Sequence, residues 1–131
     1  MTFARHATVT LLFTAPANVH ANPSLECSFI EDTQVEIAEC LIEAEERANA
    51  AMELVLGYAL DAAFDLDETT GRKVALPALE AAQGAWLDYR EKSCAHRGAL
   101  FGGSSGTAIA IRSCHIEMTR ARTSDLYALL D

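Results

Sequence analysis

Gln83-Gly84-Ala85-Trp86-Leu87-Asp88-Tyr89-Arg90-Glu91-Lys92-Ser93-Cys94 is the stretch on which the architecture turns. It holds the only Trp of the chain and ends in a cysteine ahead of a glycine-rich segment. Residues three and four apart share one face of an α-helix, so Leu79, Gln83, Trp86, Arg90 and Cys94 form a continuous stripe, with Leu76 and Tyr89 at its edges. Burying a Trp ring contributes ~2–3 kcal/mol, so a domain this small is expected to pack around Trp86. A stripe at helical spacing faces a core in preference to a stacked ligand.

Upstream, Thr33-Gln34-Val35-Glu36 matches a capping box, in which the Thr hydroxyl and the Glu carboxylate satisfy free N–H groups at a helix start. A long helix is expected from Asp32 to Phe64, with an apolar line at Ile37, Leu41, Ala44, Ala48, Met52, Val55 and Ala59. Glu36, Glu39, Glu43, Glu46 and Glu53 fall off that line, on a solvated face. Gly57 costs ~1 kcal/mol against Ala inside a helix, so a kink or a close helix contact is expected there. Asp65 to Arg72, with Gly71, reads as a turn. Pro77 suits the first turn of a second helix, Leu76 to Ala95.

His96 to Gly106, with four glycines and two serines, reads as an irregular connector. A third helix is expected from Thr107 to Leu129, with Ile111, Cys114, Met118, Ala121 and Leu126 along one side. Asn22-Pro23-Ser24 reads as a short lead-in, and no stretch alternates long enough to form a strand. The expectation is an all-α fold, an antiparallel bundle of three main helices.

The first residues resemble an export signal: Arg5 and His6, an apolar run from Ala7 to Ala15, and Val19-His20-Ala21 as a cleavage site. Residues 1–21 are read as a signal peptide and 22–131 as the mature helical domain, periplasmic or secreted. The apolar run is too short to span a bilayer, and no cysteine stands at the cleavage point to carry a lipid, so no stable membrane anchor is expected. Export implies disulfides at Cys27, Cys40, Cys94 and Cys114. Four cysteines allow three pairings; Cys27–Cys40 with Cys94–Cys114 is favoured because each closes a short local loop.

Charge is distributed unevenly. The chain carries 10 basic and 19 acidic residues. From Glu26 to Glu68 there are 13 acids against the single base Arg47, whereas Arg72 to Asp131 holds 8 bases and 6 acids. Nucleic acid is a poor partner for such a chain, because phosphate binding needs a basic stripe. A cationic protein is a good one.

Gln83-x-x-Trp86-x-x-Tyr89-Arg90-x-x-x-Cys94, then Gly102-Gly103-Ser104, then Cys114 with Thr119 and Arg122, resembles the LprI-type lysozyme-inhibitor N-terminal domain family over roughly Cys27 to Leu130. The resemblance implies a small exported helical domain; the family name comes from an inhibitor of lysozyme. Where the family usually shows Leu-Asn-x-x-Tyr, this chain has Leu54-Val55-Leu56-Gly57-Tyr58, so no role of that Asn is carried over. Lysozymes of animal hosts are strongly basic, which fits the acidic first half.

Glu36, Glu39, Glu43 and Glu46 are therefore candidates for contact with a cationic, lysozyme-like muramidase, beside their plain reading as a solvated helix face. Ser104 and Ser105 are candidates to hydrogen-bond a carboxylate in such an enzyme's cleft, although a tight connector held by Cys94–Cys114 is the favoured reading of that loop. Arg90 and Arg122 are expected to pair with a carboxylate or carbonyl and fix helix register. Cys94, His96, Cys114 and His115 lack zinc-finger spacing, and no loop has calcium-ligand spacing, so neither metal nor cofactor is expected. With no nucleophile elbow, metalloprotease motif or phosphate loop, catalysis is not expected. The ranking is a lysozyme-inhibitor-like binding protein, then an envelope interaction or scaffold module of other partner, and last a small metal-dependent enzyme.

Overall fold

A computed structural model describes residues 22–130. The expected signal segment, 1–21, lies outside the described residues. Four helices follow in order: α1 (Pro23–Ser28), α2 (Gln34–Thr70), α3 (Ala75–Ala99) and α4 (Gly106–Tyr127). No strand occurs among the described residues. None of the described helices is long and apolar enough to cross a membrane.

Local chemistry sets each boundary. At Thr33 the capping box is complete: the Glu36 N–H donates to the Thr33 hydroxyl at 3.3 Å, and the Thr33 N–H donates to the Glu36 carboxylate at 3.1 Å. Helix α2 then runs 37 residues and stops at Gly71, whose φ of 67° is left-handed. It is longer than the sequence suggests, because Asp65–Thr70 continues the helix where a turn was expected. The turn-forming side chains are occupied elsewhere. Thr70 donates to the Leu66 carbonyl at 2.8 Å, and Asp67 accepts from the N–H groups of Val74, Ala75 and Leu76 at 2.9, 2.9 and 3.0 Å. Asp67 thus caps α3 from the preceding helix, a job no residue at the start of α3 performs.

Burial pushes the Asp67 carboxyl up, but the three N–H donors and the Lys73 charge outweigh it and hold it below the usual aspartate range. A carboxylate with a depressed folded pKa contributes stability that is present above the unfolded value and lost as pH falls through the folded one. Asp67→Ala is therefore expected to melt several degrees below the parent at neutral pH. The gap should narrow as pH falls below about 4 and close only once pH has fallen through the depressed folded value. A gap independent of pH across thermal melts would refute the cap.

Helix α1 is a correction to the expected lead-in. Asn22 Oδ1 accepts from Ser24 N at 3.1 Å, and Pro23 stands at the first position, where its missing N–H is harmless. The other differences lie around the connector. Helix α3 extends four residues past Ala95, so His96–Ala99 is helical and the loop shrinks to Leu100–Ser105.

Gly98, expected in that loop, is buried where α3 crosses α4: a Cβ there would sit 2.4 Å from Ile111 Cγ1. Gly57, expected at a kink or close contact, meets nothing within 4 Å and lies inside the uninterrupted α2. The two alanine substitutions should therefore differ in sign. Gly98→Ala is expected to cost ~1–3 kcal/mol through overpacking, and Gly57→Ala to add ~0.5–1 kcal/mol through helix propensity. Urea midpoints of the two variants check this, and equal shifts would sink the argument.

Helix α3 runs against its two neighbours. Gln83 meets Met52 of α2 and Arg122 of α4, and Cys94 is bonded to Cys114. Helices α2 and α4 are parallel, since Ile37 shares a cluster with Ile109, Glu45 reaches Arg112, and Met52 and Ala59 pack with Leu126. The core is two aliphatic clusters. One joins Cys27, Leu41, Ala44, Ala48 and Ile116; the other joins Met52, Ala59 and Leu126. Alanines on α2 allow close helix approach, so no large ring is needed at the centre.

Trp86 is accordingly not the hub expected of it. It is half-buried at the margin of the second cluster. Tyr89, expected at the edge of the buried stripe, is 63% exposed. The disulfides are Cys27–Cys40, which ties α1 to α2, and Cys94–Cys114, which ties α3 to α4.

Candidate functional site

On α2, Glu36, Glu39, Glu43 and Glu46 follow at steps of three, four and three residues, which places them on one face. All four are exposed. The opposite face carries Leu41, Ala44, Ala48 and Met52 into the core, so burial itself turns the glutamates outward. Ile30, Glu31, Glu36, Glu39, Cys40, Glu43 and Arg47 line a groove between the α1–α2 turn and the first turns of α2.

The cations available do little to neutralise this face. Of the 13 acids between Glu26 and Glu68, three have an ion pair among the described residues: Glu26 with Arg120, Glu43 with Arg47, and Glu45 with Arg112 and His115. Two of those three lie away from the stripe. Glu26 holds Arg120 through both carboxylate oxygens, at 2.8 and 3.0 Å, across α1 and α4. That hydrogen bonding, opposed by burial and aided by the Arg120 charge, holds the Glu26 carboxyl below its usual range. Glu45 accepts from Arg112 at 2.7 Å and stands 2.9 Å from His115 Nδ1, in the seam between α2 and α4.

Three more cations are engaged within the second half: Lys92 with Asp88, Arg97 with Glu117 and Arg90 with Glu91. On the stripe, the exposed Glu43–Arg47 pair at 3.3 Å is worth little. Glu36 is occupied by the Thr33 cap, and Glu39 and Glu46 have no ion pair among the described residues. The face keeps its charge.

Ser104 and Ser105 fall elsewhere. They belong to the α3–α4 loop, where Gly102 and Gly103 adopt φ values of 62° and 78° and the Ser104 carbonyl accepts from Thr107 N at 3.0 Å. Both are exposed, but neither lines the groove along the glutamates. Cys94 and Cys114 are bonded to each other, which removes both sulfurs as ligands; His96 is exposed.

Gln83, Trp86, Arg90 and Arg122 come together as an interhelical clasp. Arg122 Nε donates to Gln83 Oε1 at 3.0 Å, and the Gln83 amide donates to Met52 sulfur at 3.8 Å. Arg90 donates to Asn49 Oδ1 at 3.2 Å and Thr119 Oγ1 at 3.0 Å, joining three helices. Both guanidinium groups lie over the Trp86 ring, 5.2 and 6.0 Å from its centroid. Arg90 also pairs with the Glu91 carboxylate at 3.1 Å, as expected; the acceptors across helices are the amide oxygens of Asn49 and Gln83 and the Thr119 hydroxyl. Asn49 and Thr119 were missed as partners because neither residue type signals an arginine across helices.

Comparison with known proteins gives two matches. A family model described as lysozyme inhibitor LprI matches residues 27–126. An uncharacterized protein of Rhizobium meliloti (strain 1021) is 29% identical over 126 residues, covering 92% of this chain and 89% of its own length. No solved structure matches.

Proposed function

We propose that this chain, which belongs to the lysozyme inhibitor LprI family, is a non-catalytic binding protein that engages a cationic, lysozyme-like muramidase outside the cytoplasm. Contact is made by the outward face of α2, centred on Glu39, Glu43 and Glu46. The observation that carries this reading is the stripe itself: a row of exposed carboxylates on a rigid helix, with Arg47 the one cation in an ion pair with it among the described residues. Such a face raises the encounter rate with a basic partner, and its reach is screened beyond ~8 Å at physiological ionic strength. Export follows from the sequence pattern of residues 1–21 and is supported by the paired state of all four cysteines. Ser104 and Ser105, set apart from the groove, take no part in this contact.

Titrating the protein of residues 22–131 into an assay of a basic animal lysozyme should inhibit at low salt and inhibit less at high salt. Neutralising Glu39, Glu43 and Glu46 together as glutamines should weaken inhibition roughly tenfold at low salt. No inhibition in either salt condition overturns the reading.

A further inference from the structure

The most exposed large apolar side chains are not scattered. Phe29 is 79% exposed, Ile30 72% and Val35 69%, three of the four highest values among the described residues, within seven positions of sequence. They sit where α1 hands over to α2, and that turn is held at both ends. Cys27 is bonded to Cys40, the Cys27 carbonyl accepts from Ile30 N at 3.1 Å and Glu31 N at 3.0 Å, and the Thr33 capping box fixes the far side. Ile30 also lines the groove that holds Glu31, Glu36, Glu39 and Glu43. An apolar projection fixed in place and rimmed by carboxylates has the anatomy of a binding anchor: an apolar centre that loses little entropy on docking, inside a polar border.

Resting on the reading above, we propose that Phe29 and Ile30, supported by Val35, form the anchor of the contact. The partner is a cationic protein that presents an apolar concavity rimmed by lysine or arginine. The rim selects among occupants. A second copy docked through the same knob would bring two acidic borders together, and an anionic bilayer would be repelled likewise, whereas a basic rim is attracted. Carboxylates then act mainly on association and the knob on dissociation.

The test uses a basic animal lysozyme as probe in a surface-binding assay, at about 50 mM and about 500 mM salt. Phe29→Ser/Ile30→Ser should weaken binding about 30-fold at both salt concentrations through faster dissociation. Glu39→Gln/Glu43→Gln/Glu46→Gln should weaken it roughly tenfold at low salt only, through slower association. Because Phe29 and Ile30 are exposed, their replacement should leave the melting temperature unchanged; Phe29→Ala is the second variant, with a smaller loss of the same kind.

Three results overturn the proposal. If the serine variant binds as tightly as the parent while the glutamine variant is weakened, the anchor lies elsewhere and the acidic-face reading stands. If the parent itself fails to bind the probe at low salt, reading and anchor fall together. If the parent self-associates in sedimentation and the serine variant does not, the occupant is a second copy.

Discussion

Replacing Cys94 and Cys114 together by alanine is expected to lower stability by about 3 kcal/mol, the chain-entropy value for a loop of this size. The two residues are 20 apart, and both are fully buried. Their bond spans the end of α3, the Leu100–Ser105 loop and the first turns of α4. Without it the unfolded chain gains freedom, and α4 keeps only side-chain contacts to register it against α3. The Cys27–Cys40 loop, 13 residues, is worth a similar ~3 kcal/mol. Loss of both approaches the whole stability of a typical small domain, ~5–15 kcal/mol. Urea unfolding of the double-alanine variant without reductant measures the first value. A midpoint within error of the parent would show that helix packing alone sets the register.

Arg90→Ala should cost about 3 kcal/mol for a different reason. The Arg90 side chain is 13% exposed and donates to Asn49, Thr119 and Glu91 while lying over Trp86. Truncation leaves the Asn49 amide oxygen and the buried Thr119 hydroxyl without this donor, between two aliphatic clusters that cannot supply one. Arg90→Lys keeps the charge but not the planar fork, and should recover less than half of the loss. Full recovery by lysine would show that charge alone matters and that the shared acceptors do not.

Much of the frame was legible because local rules and packing agreed. The capping box at Thr33 and the apolar line from Ile37 to Ala59 describe α2 from its own side-chain chemistry, and the short-loop argument chose the disulfides that form. Errors arose where a local signal was satisfied by something distant. Asp65 to Thr70 carries turn-forming residues, yet Asp67 spends its carboxylate on α3 and leaves its own helix intact. Gly98 looked like loop flexibility and is a steric requirement set by Ile111 on another helix. Trp86 was expected at the centre by size; it stands at the margin of the second cluster, with Arg90 from its own helix and Arg122 from α4 over its ring.

For the candidate site, the acidic face could be read from charge counts and helical spacing. The apolar knob beside it could not. Phe29 and Ile30 have the composition of core residues, and only the fold shows them turned away from it.

The reach of Asp67 from one helix to the start of the next also bears on how the chain assembles. Its three hydrogen bonds link positions only seven to nine residues apart, so closing that corner costs far less loop entropy than joining Glu26 to Arg120, 94 residues away. The α2–α3 corner is therefore suited to form early and template the hairpin. The α1 lid, whose contacts with α4 span almost the whole described chain, must wait until the final helix has arrived.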